Sequence, residues 1–220
     1  MIAIDLINDE IPPLKHSDTA EKALNWMDEF KVSHLPVLKD GNYVGMVSEN
    51  DILDQLELHK TLDELFQHLP RPSVLRQDHI YQVLSRISEL NLTVITVLDK
   101  DEKYLGCSNV QHLMSLIAKT GSIRENGGIL VIEMAAIDYS LAQIGQIVES
   151  NDAKILSSYI MSSPDSTNIE VTLKINKIEL DRIIRTFERY DYTIKASFQK
   201  SGNLNDMKFR YDALMNYLNL

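Results

Sequence analysis

The chain has 220 residues, 44% of them hydrophobic and 25% charged, enough for two domains with proper cores and not the composition of a disordered chain. A formal charge of −10 without any basic run excludes the phosphate-neutralising surface of a nucleic-acid binder. No apolar run approaches the roughly 20 residues that span a bilayer.

Residues Met1 to Glu10 carry no signal-peptide pattern, and a single cysteine, Cys107, permits no intrachain disulfide, so a cytoplasmic protein is expected. The first predicted helix carries an apolar stripe at Ala20, Ala23, Leu24, Met27 and Phe30. A strand over Leu35 to Leu38, a turn at Lys39 to Asn42 and a strand over Tyr43 to Val47 follow, then a helix from Glu49 to about Leu58. Some 60 residues on, the pattern returns. Ile80, Val83, Leu84, Ile87 and Leu90 form the stripe, Val94 to Leu98 the strand, Asp99 to Lys103 the turn, and Tyr104-Leu105-Gly106 the next strand. Val97 corresponds to Val37, and Gly106 to Gly45.

A polar stretch with three glycines, Lys119 to Gly128, predicts a boundary: residues 1–120 as one region, 121–128 as linker and 129–220 as the second region. Within the first, the two copies occupy about 10–60 and 70–118. Downstream come a strand over Ile129 to Met134, a helix capped by Asp138, a strand over Lys154 to Met161, and a hairpin loop at Pro164 to Asn168. An alternating strand over Ile169 to Ile175, a helix through Leu180, Ile183, Ile184 and Phe187, and a strand through Tyr192, Ile194, Ala196 and Phe198 complete a βαββαβ order. A final stripe at Met207, Tyr211, Leu214 and Leu218 predicts a C-terminal helix.

Two segments, Val32-Ser33-His34-Leu35-Pro36-Val37 and Gly45-Met46-Val47-Ser48-Glu49-Asn50-Asp51, resemble the tandem CBS family, named after cystathionine beta-synthase. The resemblance spans roughly residues 10–118 and implies two βαββα-type repeats. The element order of the second region looks like that of an ACT domain. The whole is therefore expected to be an α+β protein, a CBS pair followed by a ferredoxin-like ACT-like domain.

The resemblance implies that Asp51 anchors a ribose and Ser48 assists it, with His34 and Pro36 beside an adenine; AMP, ADP, ATP and S-adenosylmethionine are the implied regulatory ligands. The chemistry suits those residues, because an ionised carboxylate can accept from both hydroxyls of a diol. The same Ser-x-x-Asp also reads as a capping box, and both roles need the same residues. In the second copy Asn109 and His112 replace Ser48 and Asp51, so one nucleotide per chain is expected.

The six histidines show no ligand spacing, so no metal site is expected. Cys107 reads as a small buried hydrophobe, and Asp63-Glu64 as a solvated pair. No nucleophile elbow, phosphate loop or metalloprotease motif is present, so no catalytic residue is assigned and the protein is expected not to be an enzyme. The functional expectation is a regulatory ligand sensor, homodimeric, acting on an unknown protein target without membrane or nucleic acid. Two alternatives stand beside it: a ligand-independent dimerisation scaffold, and an amino-acid sensor through the ACT-like region. The loop Ala135-Ala136-Ile137-Asp138-Tyr139-Ser140 lacks the glycine that such sensors carry.

Overall fold

The computed structural model describes residues 1–55, 57–120, 122–162 and 166–199. The expected helix through Met207 and Leu218, and loop residues Pro164 and Asp165, lie outside the described residues. The chain divides into two compact units between Ile117 and Ala118.

The first unit runs β1 (Leu14–Lys15), α1 (Ala20–Phe30), β2 (His34–Lys39), β3 (Asn42–Ser48), α2 (Glu49–Leu53), α3 (Leu62–Leu65), β4 (Ser73–Leu75), α4 (Ile80–Leu90), β5 (Val94–Leu98), β6 (Tyr104–Asn109) and α5 (Val110–Ile117). It holds two three-stranded sheets, β1-β2-β3 and β4-β5-β6, each with a parallel first pair and an antiparallel second. The copies agree residue by residue. Thr19 caps α1 and His79 caps α4; each helix stops at a left-handed residue, Lys31 (φ 54°) or Asn91 (φ 50°). The N–H of the next residue then returns to the helix, Val32 to Met27 and Leu92 to Ile87, both at 3.0 Å, closing the last turn. Val37 lies opposite Gly45 and Val97 opposite Gly106, with the same irregularity one residue on.

The copies are strapped to each other, which the sequence did not disclose. The segment leading into β1 lies on the second copy: the N–H of Ala3 donates to the Asp78 carbonyl (2.8 Å), that of Ile4 to Arg76 (3.1 Å) and that of Asn8 to Cys107 (2.9 Å). The segment leading into β4 lies on the first copy: Leu62 donates to Asp18 (2.9 Å), Asp63 to His16 (3.1 Å) and Met46 to Pro70 (2.8 Å). Gly45 and Gly106, both at φ 154°, are where the straps cross. A Cβ on Gly45 would stand 2.4 Å from the Leu69 Cβ, and one on Gly106 2.5 Å from an Ile7 methyl, so only glycine fits without displacement. The strap also shortens α2. The expected helix to Leu58 ends at Leu53, because the Leu58 and Lys60 carbonyls instead accept from Glu21 and Ala20 at the unsatisfied N-terminus of α1. Asp63 and Glu64 are likewise not merely solvated; they accept the Thr61 hydroxyl and N–H at the start of α3.

The second unit runs β7 (Gly128–Ala135), α6 (Leu141–Glu149), β8 (Ile155–Ser162), β9 (Asn168–Ile175), α7 (Asp181–Arg189) and β10 (Thr193–Phe198). Its sheet order, β10-β7-β9-β8 with every pair antiparallel, is ferredoxin-like. Leu130, Ile132, Val171, Leu173 and Ile175 pack on one side against Ile144, Ile147, Ile183 and Phe187 of the helices. The opposite face carries Ile129, Val131, Thr172 and Tyr159 and is not covered by α6 or α7. Asp138 does not cap α6. It closes a short 3-10 turn, Ala136–Asp138, and Ser140 caps the helix by accepting from the Gln143 N–H at 3.3 Å.

Candidate functional site

The pairing of β2 with β3 sets His34 opposite Ser48, and α2 begins directly after Ser48, bringing Asp51 to the same end of the sheet. These three border a cleft of about 430 Å³ whose other walls come from the strap (Pro70, Arg71, Pro72), from Met46 on β3, and from Arg86, Leu90 and Leu92 at α4. Both copies and the strap between them therefore build one site.

Ser48 Oγ accepts from the Asp51 N–H at 3.1 Å and donates to Asp51 Oδ2 at 2.6 Å. The capping half of the expected box is present. Its reciprocal half is not: the Asp51 carboxylate meets the serine hydroxyl rather than the serine N–H, so it remains at the cleft instead of folding onto the helix backbone. The hydroxyl fixes one carboxylate oxygen and leaves the other without a donor among the described residues.

His34 is half-buried. Its Nδ1 accepts from the Thr93 N–H at 3.3 Å and lies 3.1 Å from Thr93 Oγ1, which itself accepts from the Ser33 N–H at 2.9 Å. With Nδ1 accepting, a neutral ring carries its proton on Nε2. Burial lowers the His34 pKa, opposed in part by the Asp51 charge, and holds the ring neutral near pH 7. Pro36 stands apart from this group. It is buried opposite Met46 and does not line the cleft.

The cleft is apolar on one side and charged on the other. Met46, Pro70, Pro72, Leu90 and Leu92 offer a surface for a flat ring, while Asp51, Arg71 and Arg86 supply charge. Sequence reasoning missed both arginines, because each reaches the cleft from 20 or more residues beyond Asp51. One signal was available: across the 60-residue offset Arg86 takes the place of Trp26, a cation where the first copy has an aromatic ring. The strap is fixed where it enters the cleft by the Tyr43 hydroxyl, which donates to the Pro72 carbonyl at 3.0 Å. Burial pushes that phenol to about 12, so it stays a donor.

In the second copy Asn109 Oδ1 accepts from the His112 N–H at 2.7 Å, the capping bond of Ser48 with an amide in place of the hydroxyl. The corresponding positions hold Val94, Cys107 and Trp26 in place of His34, Met46 and Arg86. That copy retains the cap and lacks the carboxylate and the cation. Cys107 is 1% exposed, its thiol is pushed up by burial, and it donates to the Ile11 carbonyl at 3.5 Å, the environment of a packing residue. Among the described residues no three His, Cys, Asp or Glu side chains converge on a metal position, and no helix is long and apolar enough to cross a membrane.

The family model of the CBS domain matches residues 3–58. Among solved structures, a CBS domain pair/ACT domain protein from Thermotoga maritima is 24% identical over 53% of this chain and 97% of its own, with a TM-score of 0.47. The CBS domains of a transcriptional regulator from Streptococcus pneumoniae are 21% identical over 52% of this chain and 98% of their own, with a TM-score of 0.45. The CBS domain of a bacterial CNNM/CorC family Mg2+ transporter in complex with ATP is 17% identical over 54% of this chain and 87% of its own, with a TM-score of 0.44.

Proposed function

We propose that this chain, which carries a CBS domain at residues 3–58, is a regulatory protein that senses an adenosyl ligand in the cleft between its two repeats. The observation that carries the reading is the Asp51 carboxylate, oriented by Ser48 at the mouth of a cleft with apolar walls. The carboxylate accepts the two ribose hydroxyls, and the His34 Nε2–H offers a donor beside it. The base lies against Met46, Pro70, Pro72, Leu90 and Leu92. Because the walls belong to both repeats, a ligand seated there favours one packing of the pair over another, which is the physical requirement for regulation. The altered second copy makes the stoichiometry one ligand per chain. The role is regulatory, with no catalytic step assigned.

Calorimetry with AMP, ADP, ATP and S-adenosylmethionine on the wild type and on Asp51→Ala tests this reading. Binding of at least one ligand at one per chain, lost in the variant, is expected; no heat with any of the four rejects it.

A second reading, a dimerisation or interaction scaffold, is favoured by the sheet face of the second unit that neither α6 nor α7 covers, where among the described residues Tyr159, Met161 and Phe198 are all more than half exposed. Sedimentation equilibrium separates the two. A dimer disrupted by Tyr159→Glu and indifferent to nucleotide favours the scaffold.

A further inference from the structure

The two arginines at the cleft are in different states. Arg86, on the exposed side of α4, has no hydrogen-bond or ion-pair partner among the described residues. Arg71 is engaged: its Nη2 donates to the Tyr43 carbonyl at 3.2 Å and to Glu102 Oε2 at 3.0 Å, and its guanidinium lies 5.7 Å from the centre of the Tyr43 ring. Glu102 is in the β5–β6 turn of the second repeat and is not a cleft residue. So Arg71 reaches from the strap between cleft and turn, and its charge is neutralised by a carboxylate outside the site.

We propose that the cleft selects a nucleoside polyphosphate, with Arg86 as its standing phosphate anchor and Arg71 as a second anchor that Glu102 holds and the ligand must win. The inference rests on the adenosyl reading above and names the ligand class within it. A free guanidinium favours an anionic phosphate and disfavours the sulfonium of S-adenosylmethionine. A single phosphate is served by Arg86. A longer phosphate chain competes with Glu102 for Arg71, and that competition is winnable because both partners are well exposed to water, at 47% and 69%. Capture of Arg71 frees the turn of the second repeat, so ligand length is converted into a local change away from the ribose site.

Calorimetry with adenosine, AMP, ATP and S-adenosylmethionine, without divalent cations, tests this on the wild type, Arg86→Gln and Glu102→Gln. In the wild type ATP binds tighter than AMP and AMP tighter than adenosine, with S-adenosylmethionine no better than adenosine. Arg86→Gln weakens AMP and ATP by about tenfold or more relative to adenosine. Glu102→Gln tightens ATP by about two- to fivefold, the strength of an exposed ion pair, and leaves adenosine unchanged. Tighter binding of S-adenosylmethionine than of ATP, or an unchanged ATP affinity in Glu102→Gln, overturns the proposal. Adenosine binding that depends on Asp51 while Arg86→Gln fails to discriminate phosphates overturns this inference alone; absence of all binding removes the adenosyl reading with it.

Discussion

At the scale of single residues, Asp51 and His34 make opposite uses of their surroundings. Asp51 is exposed and spends one oxygen on Ser48, so replacing it with asparagine keeps that acceptor and removes the charge. Asp51→Asn is expected to weaken an adenosyl ligand by about tenfold or more while changing folding stability by less than about 1 kcal/mol, checked by calorimetry alongside urea unfolding. His34 instead carries a pH dependence. Its folded pKa lies below the ordinary 6.5, so on acidification the unfolded chain takes up the proton first. The stability His34 supports is complete above about pH 6.5 and is lost as the pH falls through that value, levelling off once the folded form protonates too. Between about pH 7.5 and about pH 5.5 the unfolding midpoint of the wild type should fall further than that of His34→Gln; parallel curves would remove the assignment. The cap of Ser48 on Asp51 was legible in the sequence because it is a local device, whereas a ligand role for Ser48, Asp51 and His34 was only what the family resemblance implied. Arg71 and Arg86 were not legible, since nothing near either residue encodes which cleft it will border.

At the scale of elements, α1 and α4 were legible because each apolar stripe lies within one short window, while their caps at Thr19 and His79 and their left-handed stops emerged with the structure. The end of α2 and the cap of α6 were misread for a related reason. Leu58 and Asp138 fit a helix pattern, but the first is drawn away by the N–H groups of α1 and the second is superseded by Ser140 two residues on. The repeated glycine was recognised as a marker of the repeat, while its purpose became visible only with the straps in place. A methyl group on Gly45 meets the Leu69 Cβ and, at 2.8 Å, the Pro70 carbonyl, atoms that move only with the backbone. On Gly106 it meets the side chain of Ile7, which can turn aside. Gly45→Ala is therefore expected to cost about 3 kcal/mol or more, and Gly106→Ala measurably less, in denaturant unfolding. Equal costs would show that the straps do not press on the sheets as described.

At the scale of the whole molecule, each repeat keeps its own sheet while the segment leading into it lies on the other repeat. Residues 3–58 match one family model, yet Ala3 and Leu6, 0% and 1% exposed, are packed in the core that the two repeats share, and the Ala3, Ile4 and Asn8 N–H groups bond to the second repeat. A sequence read in one direction assigns such a segment to its neighbour, because exchange between repeats leaves no mark on local periodicity. Leu6→Ala is expected to destabilise the first unit by about 3 kcal/mol. Hydrogen exchange should accelerate at α4 and β6 as well as at β1; a response confined to residues near β1 would mean that the repeats are energetically separate. The ferredoxin-like unit was legible as an element order because its strands alternate and its helices are striped, and its sheet order followed from no such pattern.

A crystal of the full chain grown with ATP would test most directly whether the first repeat's cleft is the ligand site. The expected result is nucleotide density in that cleft, the ribose against Asp51 and the phosphates toward Arg86. Density instead beside Asn109 and His112, or in the second unit, would contradict it.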